Sequence, residues 1–299
     1  MRSRPRHLLV LFALLACACS GQPASAPSDA RSTSPGSANP GSDPGAALEF
    51  LQGGRLVRRL TLAELHRLAP AESVTLQSPE YRRRKRYRAL PLEPLLAFGF
   101  ATPTASLARR DLELRASDGY TASLPAAVRA EGGAMLAVED LDQPGWEPVG
   151  PRRATPGPFY LIWSRPSQRD THRYPWVWQL VSFDLASHAE LYRHTVPAGA
   201  KPGSAVARGH ALFTRDCLRC HAMNREGGRL GPDLNVPQSI VEYRPAAQIR
   251  QYIKNPLLFR YGTMPAQAQL SEADLDALLA YFAAMKEQKH DPDAPTRTP

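Results

Sequence analysis

Cysteine is scarce in this sequence, with four residues in a chain of 299, and its N-terminal apolar run is too short to cross a bilayer as a permanent helix. So few cysteines exclude a small scaffold held by many disulfides. No long internal repeat is visible. Hydrophobic residues make up 43% and charged residues 22% of the chain, which excludes a wholly disordered, collagenous or coiled-coil protein. The length allows about two domains, and the formal net charge is +9.

Residues 1–19 have the pattern of an export signal. Three arginines precede an unbroken apolar run of eleven residues, Leu8 to Ala18, which is typical of a secretory signal. The Cys19-Ser-Gly sequence that follows resembles the lipobox of bacterial lipoproteins, and this resemblance implies that Cys19 becomes an acylated N-terminus. Cys17 is the alternative attachment residue. An ordinary cleaved signal without acylation is the other interpretation.

Acyl chains would hold the protein on the periplasmic side of a bacterial membrane by burying CH₂ groups. In the lipoprotein family, a serine at position 20 after Cys19 favours the outer membrane. Residues 20–46 are dense in Ser, Pro, Gly and Ala and contain no large apolar side chain. Such a segment cannot bury enough surface to offset its ordering entropy, which predicts a disordered tether and a folded body from residue 47.

Residues 47–195 predict a β-rich mixed α/β domain, because the apolar pattern switches repeatedly between strand and helix periods. The predicted strands are 55–60, 73–77, 111–116, 119–124, 134–138, 159–163 and 176–183. Thr61 and Glu64 have capping-box spacing before a short helix, and a second helix is predicted from Pro91. Asp118-Gly119 indicates a hairpin turn.

The order of these segments is similar to the molybdopterin-binding domain of the sulfite oxidase family. The similarity rests on three short stretches, Tyr87-Arg-Ala-Leu-Pro-Leu92, Ser117-Asp-Gly-Tyr120 and Pro175-Trp-Val-Trp178. That family binds molybdenum through a cysteine thiolate, whereas this chain has no cysteine between residues 20 and 216. The resemblance therefore implies a related fold that has lost the metal chemistry and serves docking or scaffolding. Binding of a pterin or a small anion is the alternative.

Residues 81–88, YRRRKRYR, carry a dense run of cations. Interleaved tyrosines could stack on nucleic-acid bases, but export makes a nucleic-acid partner unexpected. The run could instead steer an acidic redox partner or contact anionic lipid. A solvated loop without a specific partner is the alternative interpretation.

Tryptophans and histidines of the same domain are interpreted as packing or surface residues. Trp176 and Trp178 are expected to face one side of a strand and to pack against the core or a neighbouring domain. His172, His188 and His194 lack the spacing of a metal site.

Cys217-Leu-Arg-Cys220-His221 is the attachment signature of c-type haem. Two thiols at this spacing can reach the two vinyl groups on one porphyrin edge, while the adjacent histidine turns beneath the iron. A zinc site would need further ligands, and no second cysteine pair remains. A thioredoxin-like redox motif would need a βαβ unit, which does not follow. The motif therefore predicts one covalent haem c on Cys217 and Cys220, with His221 as an axial ligand.

The segment 203–288 around this motif resembles a class I monohaem cytochrome c domain. The matches are a helix over Ser204–Arg215 with Gly209, the stretch Gly231-Pro-Asp-Leu234, the stretch Tyr261-Gly-Thr-Met264-Pro265, and a capped helix that begins at Ser271. The resemblance implies an all-α fold in which the first and last helices cross closely at Gly209. It also implies that the Pro232 carbonyl accepts the imidazole N–H of the iron ligand, fixing its tautomer.

The distal iron ligand has four candidates after the motif. Met223 is too close to His221 in sequence to reach the opposite haem face, Met285 lies beyond the inward stripe of the last helix, and His290 is in a polar tail. Met264 stands in a loop 43 residues after His221 and can wrap over the ring. Met264 is therefore the predicted ligand.

Together these interpretations predict a multidomain chain with the following divisions: a signal at 1–19, a disordered tether at 20–46, a mixed α/β docking domain at 47–195, a hinge at 196–203, an all-α cytochrome c domain at 204–290 and a disordered tail at 291–299. The predicted function is membrane-anchored transfer of single electrons to or from a partner oxidoreductase. Independent catalysis is not expected, because His and Met ligation leaves no open iron position. The alternatives are a haem enzyme or sensor with a labile distal ligand, and a fused oxidoreductase whose middle domain binds a pterin or a small anion.

Overall fold

The computed structural model describes residues 45–68, 70–150 and 153–294. The predicted signal, the lipid attachment at Cys19 and the tether up to residue 44 lie outside the described residues, as do residues 295–299 of the predicted tail. Within the described ranges, every helix is too short or too polar to span a bilayer.

Strands dominate the first part of the described chain. In chain order its elements are β1 (Ala47–Gln52), β2 (Arg55–Thr61), α1 (Leu62–Leu68), β3 (Glu72–Gln77), β4 (Arg84–Pro91), α2 (Leu92–Gly99), α3 (Thr104–Leu107), β5 (Leu112–Ala116), β6 (Thr121–Leu124), α4 (Ala126–Ala130), β7 (Ala134–Asp140), β8 (Tyr160–Trp163), β9 (Leu180–Leu185) and α5 (His188–Leu191). One sheet has the strand order β2-β1-β9-β5-β6, and a second has the order β3-β4-β7-β8. The strands pair antiparallel except β1 and β9, which are parallel.

Two local sequence signals are confirmed in this part. The Thr61 amide donates to Glu64 Oε2 at 2.7 Å and the Glu64 amide donates to Thr61 Oγ1 at 3.3 Å, forming a reciprocal cap that begins α1. Asp118 and Gly119 connect β5 and β6, with Gly119 at φ +90°, a conformation that favours glycine. Both signals act over a few residues, so the local sequence determines them.

A close contact between α2 and β1 helps to fix the core. Phe50 on β1 is fully buried, and a Cβ on Gly99 of α2 would lie 2.1 Å from its ring. Only glycine permits that approach. The same helix contacts β4 and β7 of the other sheet, so α2 joins both sheets to one hydrophobic core.

The basic run forms a strand, and its interpretation as a solvated loop is wrong for Arg84 to Arg88. On β4 the side chains of Arg84 and Arg86 are exposed, whereas Lys85 and Tyr87 are fully buried. Successive side chains on a strand point to opposite faces, so a run of cations can still place every second residue in the core.

Carboxylates from distant parts of the sequence make the burial of Lys85 possible. Its Nζ donates to Asp140 Oδ2 at 2.7 Å and to Glu147 Oε2 at 2.9 Å. A buried ammonium without such partners would cost several kcal/mol. The dense charge around Lys85 predicts that its side chain is exposed. This prediction fails because the local sequence carries no information about carboxylates more than fifty residues away.

The strand predicted over 176–183 begins only at Leu180, so the expectation that Trp176 and Trp178 share a strand face is wrong. In the stretch 176–179, the only residue that makes a β-bridge is Val177, which pairs with Leu161. Gln179 has φ +50°, which interrupts the extended backbone just before β9. The first strand, β1, was not among the predicted strands.

Helices dominate the second part of the described chain. Its elements are α6 (Ala205–Leu212), β10 (Ala222–Met223), β11 (Glu226–Gly227), α7 (Ile240–Tyr243), α8 (Ala246–Lys254) and α9 (Glu272–Lys286). A wider turn of π-helical type, Phe213–Cys217, follows α6, so the helix predicted to reach Arg215 ends earlier. These elements surround a second hydrophobic core, separate from that of the sheets.

The expected crossing of the first and last of these helices is confirmed. A Cβ on Gly209 of α6 would lie 2.0 Å from the Ala277 carbonyl oxygen of α9. At the start of α9, the Ser271 hydroxyl accepts from the Asp274 amide at 3.2 Å and the Ser271 amide donates to Asp274 Oδ2 at 2.9 Å. The capping box predicted there is therefore present.

Candidate haem site

The Cys-x-x-Cys-His sequence begins at Cys217, the last residue of the π-helical turn after α6. Within it, the His221 amide donates to the Cys217 carbonyl at 2.9 Å and the Cys220 amide donates to the same carbonyl at 3.0 Å. The backbone thus turns once and brings both thiols and the imidazole onto one turn. Both cysteines are free thiols, and burial raises the pKa of Cys217 to about 12 and that of Cys220 to about 11.

The imidazole of His221 is held in one orientation. Its Nδ1 lies 2.8 Å from the Pro232 carbonyl oxygen, which can only accept, so Nδ1 carries the proton and Nε2 carries the lone pair. Burial lowers the pKa of His221, although the Pro232 hydrogen bond acts in the opposite direction. A neutral imidazole with a fixed tautomer is the form that binds a metal ion.

A glycine next to Pro232 leaves room for this ring. A Cβ on Gly231 would lie 2.4 Å from His221 Cε1, closer than any side chain could approach without displacing the ring. The Gly231 amide also donates to the Cys220 carbonyl at 2.7 Å. The loop with Pro232 is therefore tied to the cysteine turn by its backbone.

Two asparagines, which sequence reasoning missed, connect the same loop to the end of α9. Asn235 Nδ2 donates to Asn224 Oδ1 at 2.8 Å and to the Met285 carbonyl at 2.7 Å. Asn224 Nδ2 in turn donates to the carbonyls of His194 and Gln288. Each asparagine is buried, so these bonds form in a water-poor interior and hold the loop rigidly. No local pattern in the sequence marks them.

The candidate distal ligands differ in burial. Met223 is fully buried and Met285 is 1% exposed, so both belong to the helical core, and the expectation that Met285 lies beyond the inward stripe of its helix is wrong. His290 stacks on His194 with ring centroids 3.7 Å apart. Met264 is only partly buried and packs at the edge of the helical core.

The segment that leads to Met264 exposes apolar surface. Its exposed large side chains are Leu257, Leu258, Phe259 and Tyr261, the last of them 97% exposed. Exposed large apolar groups in one segment are unusual for a folded surface and mark a place where a ligand or a partner packs. A porphyrin is a large apolar plate, so free thiols, an oriented imidazole and an exposed apolar segment before Met264 are the features that haem c needs.

A metal ion can also be bound without a porphyrin, by a cluster of ligand side chains. In the parts of the chain that the structure covers, no three His, Cys, Asp or Glu side chains gather as ligands for such an ion.

The β-rich part touches the motif itself through Arg219, between the two cysteines. Arg219 donates to the Thr171 carbonyl at 2.9 Å and to the His172 carbonyl at 2.6 Å, while its own carbonyl accepts from the Thr121 amide at 2.9 Å. The Arg229 amide donates to the Gly119 carbonyl at 2.7 Å. The predicted hairpin at Gly119 therefore packs on the cysteine turn, a contact that no sequence signal indicated.

A buried carboxylate lies at the same junction. Glu113 on β5 accepts hydrogen bonds from the hydroxyls of Thr121 and Tyr192, and from Ser123 Oγ at 2.7 Å. Tyr192 belongs to the helical core, whereas the other three residues belong to the five-stranded sheet. The two cores are thus joined by a hydrogen-bonded network as well as by the Arg219 contacts.

Comparison with known proteins identifies the second part. Residues 204–282 match the family model described as cytochrome c oxidase, cbb3-type, subunit III. No curated protein matches the chain. The C-terminal part is therefore a cytochrome c domain, which implies haem c and a haem-based role in electron transfer, and it follows a β-rich part of different architecture.

Proposed function

We propose that the protein is an exported c-type cytochrome that carries single electrons through one covalently bound haem. The observation that carries this proposal is the imidazole of His221, whose Nδ1 is committed to Pro232 while Nε2 is left for a metal, on the turn that also presents two thiols. When bound, haem c supplies one-electron oxidation and reduction of iron.

In this proposal each residue of the site has a separate task. The thiols of Cys217 and Cys220 would attach the porphyrin, and His221 Nε2 and the Met264 thioether would bind the iron. Pro232 holds the proton on Nδ1. The asparagine network and the glycine beside Pro232 keep the imidazole from rotating, which limits reorganisation when the charge of the site changes.

We assign the β-rich part a docking role. It holds the cysteine turn through Arg219 and through the hairpin at Gly119, so it can orient the haem domain toward a partner oxidoreductase. An acyl chain on Cys19, or alternatively on Cys17, would keep both parts at the periplasmic surface of the membrane, with the outer membrane favoured. Labelling with a fatty acid in cells should mark the natural chain and fail to mark a Cys17→Ser/Cys19→Ser variant.

Visible spectra and redox titrations of the exported protein test the iron ligands. Met264→Ala should remove the thioether, and the reduction potential should fall by a sizeable part of the roughly 0.8 V range that axial ligands control. Met285→Leu is the matched control, because it changes a buried methionine with little change in volume and should leave the potential unaltered.

Three outcomes would contradict parts of this proposal. An unchanged potential in Met264→Ala would refute Met264 as a ligand. Rapid binding of CO by the natural reduced protein would favour a haem enzyme or sensor with a labile distal ligand. A denatured chain with the mass of the bare polypeptide would refute covalent haem altogether.

A further inference from the structure

A groove of about 320 Å³ lies on the four-stranded sheet, in the part of the molecule that the electron-transfer proposal uses only for docking. Its walls come from β3, from the beginning of β4, and from the end of β8 with the segment that follows it. Three arginines line it, Arg84, Arg165 and Arg169, together with the neutral polar side chains of Thr75, Gln77 and Ser164. No acidic side chain lines it.

These arginines differ from the other cations of the basic run. Arg83 and Arg86 bind Glu147 and Asp142, and Arg88 binds Glu139 at 2.7 Å. The guanidinium groups of the three groove arginines, in contrast, form no ion pair with any described residue. The charge of Arg165 also contributes, after larger contributions from Tyr174 and Arg173, to the lowered pKa of Glu131. Like charges around one cavity repel one another, so an anion bound among these arginines would be stabilised.

Hydrogen bonds within the protein hold the walls of the groove in place without a ligand. Trp163, at its wall, is 1% exposed, and its Nε1 donates to the Pro175 carbonyl at 2.9 Å. Gln168 is also buried, accepts from the Arg165 amide at 3.3 Å and donates to the Gly132 carbonyl at 2.7 Å. The buried Trp163 and the hydrogen bonds of Gln168 hold the backbone around Arg165 in place. Less conformational entropy is therefore lost when a ligand binds.

We propose that this groove binds a phosphate group carried on a small polar body. Guanidinium forks match the oxygen geometry of phosphate, and more than one of them suits a dianion better than a single carboxylate. The hydroxyls and the amide of the lining can then bind hydroxyl groups next to the phosphate. The cavity volume is at the lower end of the range for small-molecule sites. A soluble phosphate ester or a phospholipid head group would both provide this chemistry.

Calorimetric titration of the purified full chain with two probes tests the proposal. Glycerol 3-phosphate represents a soluble ester, and dihexanoyl phosphatidylglycerol below its micelle concentration represents a lipid head group. Arg84→Gln/Arg169→Gln should weaken binding of the preferred probe at least tenfold. The control Arg88→Gln/Arg86→Gln also removes two positive charges, both from β4, and should change the affinity less than twofold.

Each outcome either identifies the ligand class or refutes the site. Tighter binding of glycerol 3-phosphate would identify a soluble ester, and tighter binding of the lipid probe would identify a head group. Loss of affinity by both double variants to the same extent would show diffuse surface charge and would refute the site. Absence of binding of both probes at millimolar concentration would refute it as well. None of these results depends on the haem, so the electron-transfer proposal is tested separately.

Discussion

Two polar clusters of this molecule, one buried and one half-buried, satisfy their hydrogen-bonding groups to different degrees. Around Lys85 the cluster is closed: both oxygens of Asp140 accept from the ammonium and also from the amides of Asp142 and Glu147. Around His221 it is open, because Nδ1 is bound while Nε2 has no hydrogen-bond partner among the described residues. A cluster that leaves one oriented lone pair unused on a half-buried ring is prepared for a ligand, whereas a closed cluster only supports the fold.

The largest effect should come from opening the closed cluster. Lys85→Met leaves the carboxylate of Asp140 buried without its cation, and we expect the free energy of unfolding to fall by about 3–5 kcal/mol. Denaturant titration measures the change. Arg88→Gln, which loses an exposed pair, should cost less than about 1 kcal/mol. Equal losses in both variants would mean that Lys85 is not the centre of the cluster.

A smaller effect should come from disturbing the open cluster. In Gly231→Ala the new Cβ would lie 2.4 Å from the His221 ring, so the ring must move and the bond to Pro232 must lengthen. We expect a loss of about 1–3 kcal/mol in stability together with a shifted haem spectrum and reduction potential. Gly262→Ala is the control for the loss of stability, because no atom lies within 4 Å of its added Cβ. A spectrum that Gly231→Ala leaves unchanged would argue against the role of this loop.

The smallest effect concerns the pH dependence of stability, to which Glu147 of the Lys85 cluster contributes. Burial raises the pKa of Glu147, but hydrogen bonds from Lys85 and Arg83 outweigh burial, and the pKa lies below the ordinary value of 4.5. A lowered pKa in the folded state contributes stability above pH 4.5 that is lost as the pH falls through the folded pKa. We expect acid unfolding curves of Glu147→Gln to be flatter below pH 4.5, by less than about 1 kcal/mol. An identical pH dependence in both proteins would contradict this expectation.

The sequence predicted those parts of the fold and of the site that depend on neighbouring residues. The caps at Thr61 and Ser271 and the hairpin at Gly119 are read from three or four positions. The contact of Gly209 with α9 was found only because the C-terminal part resembles a known family. The roles of the haem-binding residues and of Met264 stay predictions, for which the proposed spectra are the test.

Features that depend on distant partners could not be predicted. The burial of Lys85 requires carboxylates from another strand and from a loop, and Asn235 binds a carbonyl fifty residues away. The strand β1 has only a short alternating pattern, and its place in the sheet follows from pairing with β9. In each case the structure is determined by tertiary contacts, which composition and periodicity along the chain do not reveal.

The position of Arg219 has a consequence for how the cytochrome c domain of this protein can be studied or engineered. Its guanidinium caps two backbone carbonyls of the β-rich part, and its own carbonyl accepts from the hairpin. A fragment cut before Ser204 would leave this cation and a row of peptide groups facing solvent beside the cysteines. Grafting the helical half onto another carrier would therefore need a substitute for that surface, or the attachment turn would become mobile.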